Sequence, residues 1–194
     1  VLQALARDTA RLLAEPRDAL VRIKTLDALT GHFLPEVDKD AFRKMRRKLQ
    51  AEHRDVVHRF FGEDNVLPQV KMELVAARKR IEDWPIDDIS FCDLGDGMKR
   101  VYKRGRKAME TAYDTHTPED FHDWRKRVKY FWYHTRVMKK TWGPVVGGLI
   151  DELHEMSDLL GDHHDLEELR KMAEGREDLF KDKEEQKALL ALIE

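Results

Sequence analysis

Apolar residues recur along this chain at the three- and four-residue intervals of amphipathic helices, and no stretch alternates with the period of two of a half-buried strand. Residues 2–14 read as a helix that stops before Glu15-Pro16, and 17–29 as the next, ended by Thr30-Gly31. Asp38 or Asp40 can cap a long helix over 40–61, closed by Gly62. Pro68 suits the first turn of a helix running to Asp83, with Trp84-Pro85 as its stop. A loop with Asp87 and Asp88 precedes a helix over 91–113. Thr117-Pro118-Glu119-Asp120 combines a capping hydroxyl, a first-turn proline and early acids, and opens a helix to Thr141 that Gly143-Pro144 stops. Helices over 145–160 and 163–174 follow, separated at Gly161-Asp162, and after Gly175 a last one starts near 182. The expected class is all-α, with short connections between antiparallel neighbours.

Residues 10–19 and 157–166 align as a weak internal repeat, each with a Leu-Leu pair ahead of an expected helix–helix turn. Asp18 and Asp165 then read as first-turn acids, a structural role. The repeat suggests two related helical halves.

Wound at about 100° per residue, the helix from 118 puts Phe121, Trp124, Val128, Phe131, Trp132 and Thr135 on one side. His122, Arg125, Lys126, Lys129, Tyr133 and Arg136 form a polar stripe on another, with no acid among them. Helix 91–113 repeats the arrangement. Lys99, Arg100, Lys103, Arg104, Arg106 and Lys107 oppose Met98, Val101, Ala108, Met109 and Ala112, with Gly105 on the apolar side as a point of close approach. In helix 40–61, Arg43, Arg47, Gln50 and Arg54 oppose Phe42, Met45, Leu49 and Val56. Like charges at i,i+4 oppose helix stability by a few tenths of a kcal/mol, so three such ridges predict an anionic ligand. Phosphate suits them, because Arg engages its oxygens bidentately and Lys adds point charge.

Composition sharpens this reading. The chain has 194 residues and a formal net charge of −2, so the basic ridges stand out by segregation and not by bulk charge. Residues 151–168 carry eight acids and no Lys or Arg, which leaves a competing reading in which the chain's own acidic helix neutralises the ridges. A lone cysteine, Cys92, excludes an internal disulfide framework and fits a reducing cytosol. No apolar run approaches the ~20 residues of a membrane span, and no signal-like segment is present. Single-strand binders offer aromatic platforms beside their basic groove. Here the aromatics map to the apolar side, leaving mainly Tyr133 in the stripe, so a ligand without bases fits better, and no sequence-specific nucleic-acid motif is found.

Metal chemistry is the alternative. Glu119/His122 has Glu-x-x-His spacing, Asp55/His58 and Asp151/His154 are Asp-x-x-His variants, and His164-Asp165 resembles the pairs of helical metal phosphohydrolases. His122 lies among cations, a poor place for a divalent ion, so no metal and no cofactor is expected. His163 and His164, placed in an expected first turn, can assist at a phosphate end. A third reading is a module that docks an acidic protein.

The run His122-Asp-Trp-Arg125-Lys126-Arg-Val-Lys129-Tyr-Phe-Trp-Tyr133 resembles the signature helix of CHAD domains, conserved histidine α-helical domains. Tyr102 to Ala108 resembles the family's Tyr-basic-basic-Gly-Arg segment, Leu160 to Leu166 its helix turn, and Arg7 to Leu29 the matching part of a first half. The family's first His-containing basic helix has no counterpart here, so the chain is expected to start after it. The resemblance implies two pseudo-symmetric antiparallel bundles around a basic central surface, with 1–85 and 86–194 as halves of one domain. It implies non-catalytic binding of inorganic polyphosphate. By position it assigns His122, Arg125, Lys126 and Lys129 to the basic helix and Arg104, Arg106 and Lys107 to the second motif. It also implies a triphosphatase-type partner or domain, and a cytoplasmic location that includes polyphosphate granules.

Overall fold

The computed structural model describes residues 2–33, 37, 40–84, 91–140 and 142–194, with the backbone only at 2–3 and 91–93. Asp38, Pro85, Asp87, Asp88 and Thr141 lie outside the described residues, and the side chain of Cys92 likewise. Regular structure among the described residues is entirely helical, so the chain is all-α. In chain order the helices are α1 Leu2–Leu12, α2 Ala14–His32, α3 Arg43–His58, α4 Val66–Glu82, α5 Phe91–Thr115, α6 Pro118–Val137, α7 Gly143–Gly175 and α8 Lys183–Ile193. A π-helical turn, Arg59–Glu63, follows α3, and 3₁₀ turns Met138–Lys140 and Glu177–Leu179 follow α6 and α7.

The chain forms two compact units. One comprises 1–85 with 168–194, the other 86–167. In the first, Ile23, Leu26 and Leu29 of α2 are buried, as are Met45 and Leu49 of α3, Leu169 and Ala173 at the end of α7, Leu179, and Leu189 of α8. Phe42 enters α3 with φ 59°, a left-handed conformation unfavourable for a bulky residue. Its ring is 2% exposed and its N–H donates to Glu185 Oε1 at 3.2 Å, so burial and this hydrogen bond hold it there. The expected aspartate cap is replaced by this arrangement, and Asp40 instead pairs with Arg43. Ion pairs bind the elements of this unit. Arg46 forks onto Asp27 at 2.6 and 2.8 Å, and Arg176 reaches Glu52 at 2.7 Å and Asp178 at 2.9 Å.

In the second unit, α5 and α6 pack together. Ala112, Trp124, Val128, Leu153 and Leu160 form its core, with Ala108, Met109, Phe121, Phe131 and Trp132 against it. Met138, Val146 and Ile150 form a second cluster with Met98. The apolar faces expected of α5 and α6 are therefore the faces that pack. Thr117 caps α6 as expected, its hydroxyl accepting from the Asp120 N–H at 3.3 Å.

Two expectations fail. The helix does not break at Gly161-Asp162, because α7 runs unbroken through it. Glycine costs a helix about 1 kcal/mol relative to alanine, too little to stop one held by packing on either side, here Leu160 and Leu169. The aligned segments 10–19 and 157–166 are therefore not equivalent, since only the first contains a break, at Leu13. Gly105 is not a point of close approach either. A Cβ there would meet only Arg127 Cβ, at an ordinary 3.8 Å.

Candidate anion-binding surface

The outer face of α5 carries the densest charge. Lys99, Arg100, Lys103, Arg104, Arg106 and Lys107 are all exposed, opposite the buried Ala112 and half-buried Ala108 and Met109. Arg106 pairs with Glu110 at 3.2 Å. The other five have no carboxylate partner among the described residues. From Lys99 to Lys107 the row spans about 12 Å.

A groove of ≈ 550 Å³ runs between α5 and α6, lined by Arg104, Lys107 and Thr111 on one side and by Asp120, Asp123 and Arg127 on the other. Its acids are already engaged. Asp120 accepts from the Thr115 and Thr117 hydroxyls, both at 2.7 Å, which hold its carboxyl below the usual range. Burial pushes Asp123 up, yet the hydrogen bond from Lys126 and the charge of Arg127 bring it below its ordinary value.

The α6 stripe divides. Lys126 binds Asp123 at 3.0 Å, which corrects the expectation of a stripe free of acids. Asp123 lies at the stripe's edge, where a side chain three residues away still reaches it. Lys129 also has a partner. Arg136 is exposed, its guanidinium 5.0 Å from the centroid of Trp132. Tyr133 is exposed, against the same indole at 4.8 Å.

His122 and Arg125 turn toward α7. The His122 ring lies 4.7 Å from that of His164, and His163 lies 4.6 Å from Phe121. The Arg125 guanidinium rests on Gly161, where an added Cβ would come within 3.4 Å of Nη2. His122 Nδ1 and Arg125 Nε are buried with no hydrogen-bond partner, and Arg125 has no ion pair among the described residues. A buried polar atom left without a partner is costly, whichever tautomer His122 adopts. Burial lowers the His122 pKa, and His164, Lys126 and Arg125 lower it further, so the imidazole is neutral at pH 7.

His164 and Gly161 thus join the corner through the fold. The motif at 160–166 marked them, but the role expected of His163 and His164 at a helix N-terminus is wrong. Both lie inside α7, where the backbone N–H groups are used within the helix.

Arg43, Arg47 and Arg54 lie on α3 in the first unit, all exposed, opposite the buried Met45 and Leu49. Arg43 is paired with Asp40, and Arg47 and Arg54 are unpaired among the described residues. Four of the eight acids at 151–168 leave the ridges unneutralised. Asp151, Glu152, Glu155 and Asp162 make no ion pair with α5 or α6 among the described residues, and Asp158 bonds His154 at 2.8 Å. No group of three or more His, Cys, Asp or Glu suited to a metal occurs among the described residues. No described helix is long and apolar enough to cross a membrane.

Fold and surface together define an all-helical protein that presents rows of cations outward from packed apolar faces. Within that class the chain belongs to the CHAD domain family, whose model matches residues 1–174. No curated protein and no solved structure matches the chain.

Proposed function

We propose that this chain binds inorganic polyphosphate on its basic helix faces and does not act on it chemically. Membership of a family linked to polyphosphate supports this reading. The observation that carries it is the row Lys99, Arg100, Lys103, Arg104 and Lys107, exposed and without carboxylate partners among the described residues. Several like charges on one helix face raise the folding free energy, and a chain of phosphates offsets that cost along its length. Arg engages phosphate oxygens as a fork and Lys as a point charge, each well-formed contact contributing about 1.5–3 kcal/mol. Arg104 and Lys107 extend the row into the α5–α6 groove, and Arg125 Nε is a buried donor without an acceptor. Such a module stores the polymer, localises the chain to polyphosphate granules, or presents the polymer to a triphosphatase-type partner.

The test is a titration with long polyphosphate of the native chain and of a Lys103→Ala/Arg104→Ala/Lys107→Ala variant. Affinity is expected to fall at least 100-fold in the variant, with a shallower dependence on salt, because each lost phosphate contact removes about one unit of counterion release. Unchanged affinity would remove α5 from the site. Turnover of polyphosphate by the purified chain would overturn the non-catalytic reading.

A further inference from the structure

Tyr133 is the aromatic residue expected in the polar stripe of α6, and the fold exposes Tyr130 beside it: the two rings are 44% (Tyr130) and 49% (Tyr133) exposed, and Val137 beyond them is 67% exposed. Lys126, Tyr130, Tyr133 and Val137 follow one another at intervals of four, three and four residues, which places them in one line along α6. The line spans about 16 Å. Lys126 stands at one end, and Lys139 and Lys140 of the following turn, both exposed, stand at the other. Between His122 and Lys140 the chain carries seven cations and one acid, Asp123. Tyr133 is braced from within by Trp132, whose ring also lies under Arg136 and edge-on to His154 at 4.7 Å.

We infer that this line of α6 binds single-stranded nucleic acid without sequence preference, its bases stacking on Tyr130 and Tyr133 and its phosphates lying against the flanking cations. A tyrosine half out of a helix surface costs apolar exposure that a core position would avoid, whereas a stacked base covers such a ring. Adjacent exposed aromatic rings flanked at both ends by cations suit a strand whose bases stack while its phosphates run past the rings. A bare phosphate chain offers nothing to stack on the rings, so stacking and not charge separates the two ligands. The inference does not rest on the polyphosphate reading.

The experiment compares three fluorescent probes on the full chain: a short oligouridine, an abasic strand of equal length and charge, and polyphosphate. Oligouridine is expected to bind at least fivefold more tightly than the abasic strand, since one stacked base contributes about that much or more. In Tyr130→Leu/Tyr133→Leu that preference should vanish while abasic affinity stays within twofold and the circular-dichroism melt is unchanged, which shows that the variant is folded. Equal binding of oligouridine and abasic strand by the native chain would overturn the inference, as would a preference that survives in the variant. Self-association of the native chain that the two substitutions abolish would assign the exposed line to a protein contact and overturn it as well.

Discussion

Lys103 has a cation at every neighbouring position on its helix face: Lys99 and Arg100 one turn before it, Arg106 and Lys107 one turn after. Each like-charged i,i+3 or i,i+4 pair costs about 0.2–0.5 kcal/mol, and an opposite pair gains a similar amount. Lys103→Glu therefore reverses four interactions with no change in helix propensity, since Glu and Lys are nearly equal formers. Exposure and side-chain entropy reduce the gross gain, leaving about 1–2 kcal/mol at low salt. For a chain of this length that corresponds to a rise in Tm of about 3–6 °C. The gain should shrink in 1 M salt, where the screening length falls to about 3 Å. Polyphosphate affinity should fall at least tenfold, because one charge-assisted contact is replaced by repulsion. Thermal melts by circular dichroism with and without polyphosphate read both effects. A lower Tm in the variant would mean that Lys103 is neutralised within the protein, which refutes the cost assigned to the ridge. A higher Tm with unchanged binding would refute α5 as the contact surface.

Three further outcomes follow from particular side chains. Burial and neighbouring positive groups depress the His122 pKa, so in the free protein its neutral form is favoured. Stability from this group is complete above its ordinary value of 6.5 and is lost as pH falls below that value toward the depressed one. A bound polyanion raises the pKa again, so polyphosphate should bind more tightly at pH 6 than at pH 8. In His122→Gln that difference should shrink, and titration calorimetry in buffers of different ionisation heat should show less proton uptake. Gly161→Ala adds a methyl 3.4 Å from the guanidinium end of Arg125 while removing a glycine from mid-helix. Because the guanidinium can yield, Tm should rise by about 2–4 °C, and a fall would show Arg125 to be fixed. Hydrogen bonds from Arg176 and Lys48 draw the Asp178 carboxyl down to about 2. Its contribution is present above the ordinary 3.8 and is lost as pH falls through about 2, so Asp178→Asn should lower Tm at pH 7 and leave it unchanged near pH 2.

The sequence by itself determined the all-helical class and which side of α5 and α6 packs. Both follow from local periodicity, since the 3.6-residue repeat sorts Trp124, Val128 and Ala112 from the cations whatever surrounds them. It also determined the start of α6, because Thr117, Pro118 and Asp120 act on one another within a single turn. Tertiary structure decided the rest. Whether α7 breaks at Gly161 depends on packing along its whole length, which outweighs a local cost of about 1 kcal/mol. The meeting of His122 with His164 and of Arg125 with Gly161 joins residues distant in the chain, and no spacing encodes it. Nor could periodicity say which cations are already paired. Lys126 and Lys103 look alike on a helical wheel, but among the described residues only the first finds a carboxylate within reach.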